Sequence, residues 1–204
     1  RAMAGLRRKS LNTTGEEDLL VVLTGPDGGN AQFKVYGGPE SDAASSILPA
    51  SDGPGWLVAG SRSGAGNAQS KFWLLRLDAA GNLLWDKQLG QQQLLILRHL
   101  AQSADGGLLL SGYAIISGNS HGVLVRADVK GATLWSRELG IVNSRWNASV
   151  SWADGIAGIG VKESGKSVAV LARLDPWGNP TCTACAGLSP ADCDDADPKT
   201  LDFC

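Results

Sequence analysis

Short apolar runs broken by glycine-rich turns make up most of the chain, and none keeps a 3.6-residue apolar rhythm over three helical turns. Leu19-Leu20-Val21-Val22-Leu23, Trp56-Leu57-Val58-Ala59, Phe72-Trp73-Leu74-Leu75-Arg76-Leu77 and Leu108-Leu109-Leu110 read as strands, whereas Phe33-Lys34-Val35-Tyr36 alternates apolar and polar side chains. Turn signals such as Gly25-Pro26-Asp27-Gly28-Gly29, Asp52-Gly53-Pro54-Gly55 and Asp105-Gly106-Gly107 separate them. The pattern predicts an all-β protein of many short strands.

The strands recur in a fixed order. Leu77-Asp78-Ala79-Ala80-Gly81-Asn82-Leu83-Leu84-Trp85 returns as Ala127-Asp128-Val129-Lys130-Gly131-Ala132-Thr133-Leu134-Trp135 and as Leu174-Asp175-Pro176-Trp177-Gly178-Asn179-Pro180-Thr181-Cys182. A looser first copy ends in Gly29-Asn30-Ala31-Gln32-Phe33. Four positions after the glycine stands a large residue or a cysteine, and a second glycine follows at Gly38, Gly90, Gly140 and Gly187. Another glycine closes an earlier strand of each unit at Gly5, Gly60, Gly112 and Gly160, and the two sets of glycines together repeat every 47 to 55 residues.

That period, with four strands to a unit, suits β-propeller blades better than a helical solenoid. The aromatics at Phe33, Trp85 and Trp135 are expected to wedge between neighbouring units, because one unit cannot bury both of its faces alone. The units run over 1–38, 39–90, 91–140 and 141–187, with an irregular cysteine- and aspartate-rich tail over 188–204. The first is incomplete: Met3-Ala4-Gly5 already matches Val58-Ala59-Gly60, so its opening strand is missing. Four units predict either a small closed ring or an arc of a larger propeller, and an arc leaves strand edges that something else must cover.

Charge is sparse and balanced, with 18 basic against 20 acidic side chains and a net charge of -2. This gives no electrostatic footprint for nucleic acid or an anionic membrane. No apolar run reaches the roughly 20 residues that a spanning helix needs. The chain opens on Arg1, which reads as a mature or trimmed product whose targeting segment lies upstream.

The run Asp-Gly-Gly, apolar strand, Gly, then Leu-Asp-x-x-Gly-Asn-x-x-Trp and a closing Leu-Gly resembles the bacterial secreted β-propeller repeat family over residues 1–187. The resemblance implies a propeller fold and an exported, secreted or cell-surface protein. The fourth unit departs from it by placing Cys182 at the tryptophan position. The Asp-x-x-Gly-x-x-x-Trp hairpin is also similar to the sialidase Asp-box, but its spacing differs and no sialidase chemistry is carried over.

The tail from Cys182 to Cys204 resembles the MopE-type metal-binding repeat of secreted proteins, whose core reads Asp-Cys-Asp-Asp-x-Asp; the usual Pro-Gly before the last acidic residue is missing here. Asp192, Asp194, Asp195 and Asp197 place four carboxylates within six positions, hard oxygen donors of the kind Ca²⁺ takes in irregular loops. The alternative is a solvated acidic tail. Cys182, Cys185, Cys193 and Cys204 allow two disulfides or a four-thiolate zinc site. An exported context favours disulfides, with Cys185 joined to Cys193 or Cys182 and Cys204 closing the remainder.

Only two histidines exist, His99 and His121, and neither sits among a convergent acid, base and nucleophile. Gly64-Ala65-Gly66-Asn67 opens no helix and reads as a loop rather than a phosphate cradle. Among seven tryptophans, Trp177 in its turn is the one expected to be exposed. Asn12-Thr13-Thr14 and Asn147-Ala148-Ser149 match the glycosylation pattern. These readings predict a non-enzymatic exported interaction module that binds a protein or a glycan. The alternatives are a structural subunit of a larger secreted or cell-surface assembly, and a hydrolase acting at a propeller channel.

Overall fold

Every regular element among the described residues is a strand. A computed structural model describes residues 1–8, 17–64, 69–92, 94–103, 105–152, 155–163 and 165–179. The chain lays down four antiparallel sheets in turn. The first holds β1 (Ala2–Arg8), β2 (Glu17–Leu23) and β3 (Gln32–Tyr36). The second holds β4 (Asp42–Pro49), β5 (Trp56–Ser63), β6 (Ser70–Leu77) and β7 (Leu83–Leu89). The third holds β8 (Leu95–Gln102), β9 (Leu108–Ile116), β10 (Asn119–Ala127) and β11 (Thr133–Val142). The fourth holds β12 (Ser144–Trp152), β13 (Gly155–Glu163) and β14 (Ser167–Leu174). Among the described residues, no helix is long and apolar enough to cross a membrane.

The repeated Asp-x-x-Gly segment makes the same turn in the last three sheets. Asp78 Oδ1 accepts the backbone N–H groups of Ala80 and Asn82 at 2.9 and 2.8 Å. Asp128 does the same with Lys130 and Ala132, and Asp175 with Trp177 and Asn179. Gly81, Gly131 and Gly178 then take φ of 77°, 76° and 80°, a region where a Cβ is strained. The aspartate thus serves the backbone of a tight turn, and the motif is structural.

A second device sets the inner edge of a sheet. Strands β4, β8 and β12 each bulge, between Ala44 and Ser46, Leu97 and His99, and Trp146 and Ala148. Gly60, Gly112 and Gly160 lie opposite those bulges, and a Cβ on them would overlap the carbonyl oxygens of Ala43, Ile96 and Arg145. Gly5 holds the same register in β1, paired with Leu20 as Gly60 is with Trp73. Nothing lies within 4 Å of a Cβ built there, because the first sheet has no bulged strand beside it. Among the described residues the first sheet has three strands, with β1 at its edge, where the second and third sheets have four.

The core is three layers, one at each junction between successive sheets. Leu19, Val21 and Leu23 meet Val58, Trp73, Leu75 and Leu77 at the first. Leu57, Leu74 and Phe72 meet Leu108, Leu110, Val123 and Val125 at the second. Leu109 and Leu124 meet Trp146, Ile156, Val170, Ala172 and Leu174 at the third. Alternate side chains of one central strand thus serve two different layers, as the two-residue period of a strand requires.

Phe33 corrects the expected register. Gly28, with φ of 86°, bonds to the Gly25 carbonyl as Gly81 bonds to that of Asp78, so Gly28 and not Gly29 is the turn glycine. Gln32 consequently stands where Trp85 stands, paired with Leu23 as Trp85 is with Arg76. Phe33 falls on the opposite face and is 67% exposed. A one-residue slip moves every side chain of a strand to the other face, and the adjacent pair Gly28-Gly29 concealed it in the sequence.

Candidate interaction surfaces

Each junction is closed at its turn, and the second and third also by hydrogen bonds between strands. Near the inner strands, the N–H groups of Leu97 and Leu100 donate to Ser61 and Ser46 Oγ at 2.8 and 3.1 Å, and Gly122 N–H donates to Ser144 Oγ at 2.9 Å. At the turns, the Trp85 ring lies against Gly131 and the Trp135 ring against Gly178, with Trp135 Nε1 donating to the Pro176 carbonyl at 3.2 Å. At the first junction Leu23 and Lys34 cover Gly81, and the Tyr36 hydroxyl donates to the Gly81 carbonyl.

His99 takes the place of Ser46 at the third junction, accepting the Ser149 N–H on Nδ1 at 3.4 Å. Burial holds its pKa below the ordinary histidine value. A base that is harder to protonate when folded keeps its full stability above the unfolded value of about 6.5, and loses it as pH falls through the folded pKa. The melting temperature of the wild type is therefore expected to drop more between about pH 7.5 and pH 5 than that of His99→Ser, whose hydroxyl supplies the acceptor Ser46 already provides one sheet earlier. Parallel melting curves for the two chains would remove His99 from the pH dependence.

Among the described residues, two sheet faces lack such closure. On the fourth sheet, Ala148, Ile159 and Leu171 form one cross-strand row and Val150, Ala157 and Arg173 the next. Leu171 is 68% exposed, Val150 57% and Ile159 53%. Their counterparts are enclosed: Val21, Leu74 and Leu124 at the Leu171 position, and Ala59 and Ser111 at the Ile159 position, are all fully buried. On the first sheet, Met3, Val22 and Phe33 form one row and Gly5, Leu20 and Val35 the next. Val58 and Leu110 at the Met3 position, and Leu75 and Val125 at the Val22 position, are fully buried, whereas Met3 is 56% exposed.

A cleft of about 430 Å³ opens between the third and fourth sheets, lined by Ser103, Asp105, Arg126, Ser151, Trp152 and Pro176. Arg126 grips both oxygens of Asp105 at 3.1 and 3.0 Å and donates to Ser151 Oγ at 3.3 Å. The Ser103 hydroxyl, then the Gly107 N–H and Arg126, hold the Asp105 carboxyl below its ordinary pKa. Arg173 lies over the Trp152 ring at 5.8 Å. Elsewhere burial pushes the Asp42 carboxyl up, against the Gly38 N–H that it accepts at 2.8 Å.

Asp192, Asp194, Asp195 and Asp197, together with Cys182, Cys185, Cys193 and Cys204, lie outside the described residues. Asn12 does too, while Asn147 is exposed at the bulge of β12. Trp177 is exposed as expected from the sequence, and so is Trp152, which sequence reasoning did not single out. His121 Nδ1 lies 2.7 Å from the Glu138 carboxylate, and His99 serves a junction. No family model matches the chain, and a search of curated proteins finds no match.

Proposed function

We propose that the chain is a non-enzymatic, exported interaction module of β-propeller type, a rigid arc of blades whose uncovered end engages another protein. The observation that carries this reading is the apolar face of the fourth sheet, where Ile159 and Leu171 stand exposed at positions that the second and third sheets bury, with Val150 exposed beside them at a position those sheets half-bury. Exposed apolar patches of this kind mark protein contact sites. Among the described residues, the carboxyls with shifted pKa values are Asp78 and Asp175, held by turns, Asp105, held by an ion pair, and Asp42, raised by burial and bonded to the Gly38 N–H, which supports a structural part for them.

Isolation of the chain from its source with bound proteins, repeated with Leu171→Glu, tests the reading. A stoichiometric protein partner that is lost from the Leu171→Glu chain is expected, with the far-ultraviolet circular dichroism unchanged. A partner that stays bound to Leu171→Glu, or isolation with no stoichiometric protein, would sink it.

A glycan reading has one observation in its favour, the Trp152 ring beside the Asp105 carboxylate and the Ser103 and Ser151 hydroxyls in the cleft. An aromatic face next to fixed hydrogen-bonding groups suits a sugar ring. Saturable quenching of tryptophan fluorescence by oligosaccharides, abolished in Trp152→Ala, is its expected result. A glycan panel that leaves the fluorescence of the wild type unchanged would count against it.

A further inference from the structure

The two uncovered faces are complementary halves of the junction that the molecule already makes three times. In those junctions a sheet offers the side chains at the Leu74 and Ala59 positions, and the following sheet receives them with the side chains at the Val58, Trp73 and Leu75 positions. The fourth sheet offers Leu171 and Ile159 at the first set of positions, where both stand exposed and no described sheet receives them. The first sheet presents Met3, Leu20 and Val22 at the second set, and no described sheet offers side chains to them.

Gly28 supplies an independent sign on the first sheet. The corresponding turn glycines Gly81, Gly131 and Gly178 each have a side chain of the preceding sheet within 3.1 Å of a Cβ built on them. Nothing lies within 4 Å of the one built on Gly28. The leading face of the first sheet is thus uncovered at the turn as well as along its strands.

We infer that these faces dock on each other between two copies of this chain, head to tail, the fourth sheet of one copy against the first sheet of the other. The inference rests on the interaction-module reading and names the partner as a second copy. A head-to-tail contact either closes into a ring or runs on as a filament. Closed rings of packed four-stranded sheets typically hold four to eight sheets, so two copies of four sheets fill one ring and a third does not fit. The occupant is apolar at both ends, since Leu171 and Ile159 face outward on one sheet and Met3, Leu20 and Val22 on the other.

The test is the mass of the full chain in solution at micromolar concentration, by sedimentation velocity or light scattering. The wild type is expected at about twice its 21.2 kDa chain mass. Leu171→Arg on one face and Phe33→Arg on the other are each expected to give a species of chain mass, and both sites are exposed, so folding is retained. Mixing the two variants restores one unmodified junction and is expected to return a dimer. Ile159→Lys and Val35→Lys repeat the pair if either arginine chain fails a circular dichroism check. A wild type of chain mass overturns the proposal, and so does a dimer that survives Phe33→Arg, because a contact between two fourth sheets would not involve Phe33. A wild type of chain mass that still binds a foreign protein through Leu171 would leave the interaction-module reading standing and remove only the second copy.

Discussion

Gly112→Ala is expected to destabilise the protein by about 3 kcal/mol, while Gly5→Ala changes it by less than about 0.5 kcal/mol. The two glycines hold the same register in their sheets, so sequence position and repeat pattern predict the same cost for both. A Cβ on Gly112 would overlap the Ile96 carbonyl oxygen and come within 3.1 Å of Leu97 Cα, and all of these neighbouring atoms are backbone. A flexible side chain could swing aside; a bulged strand locked by hydrogen bonds to Ser61 and Ser46 cannot. At Gly5 the added methyl meets open space. Urea denaturation of the two variants measures the difference directly, and equal losses would mean that the inner strand of the third sheet does not lie on its glycine.

The same comparison shows what the sequence carries and what it hides. Strand order and the Asp-x-x-Gly turns are legible because each depends on a residue whose chemistry is local: a glycine at positive φ, an aspartate that accepts two backbone N–H groups, an apolar run bounded by both. The face of a strand is harder to read. The repeat count places Phe33 at the junction, but a paired glycine before it shifts the count by one and sends it to the outside. Trp152 was passed over because exposure of that residue depends on whether another sheet follows the fourth, which no local pattern encodes. Arginines at one repeat position show the same limit: Arg76 is buried, Arg126 lines a cleft and Arg173 is exposed. Neighbouring sheets, which the local sequence does not describe, decide which environment each one has.

That recurring arginine gives the second large effect. Asp52→Ala is expected to cost about 3 kcal/mol, and Asp105→Ala about 1 kcal/mol or less. The Arg76 side chain is almost fully enclosed, with Nε donating to Asp52 at 2.8 Å and its remaining N–H groups turned to the carbonyls of Gly53, Pro54 and Leu77. Removing Asp52 leaves a guanidinium charge inside the protein with only neutral acceptors, and an uncompensated buried charge is the costly half of breaking an ion pair. In the third sheet one nitrogen of Arg126 reaches both Asp105 oxygens, but the Asp105 side chain is 69% exposed, so water replaces the lost carboxylate. Arg76→Met separates charge from packing, because it removes the cation, keeps most of the volume and leaves Asp52 within reach of solvent; its expected loss falls between the other two. The three chains are compared by their urea midpoints at neutral pH. If Asp105→Ala proved as damaging as Asp52→Ala, burial of the arginine would not be what sets the cost, and the enclosed charge could not be the element that ties the Asp52 to Gly55 turn onto the second sheet.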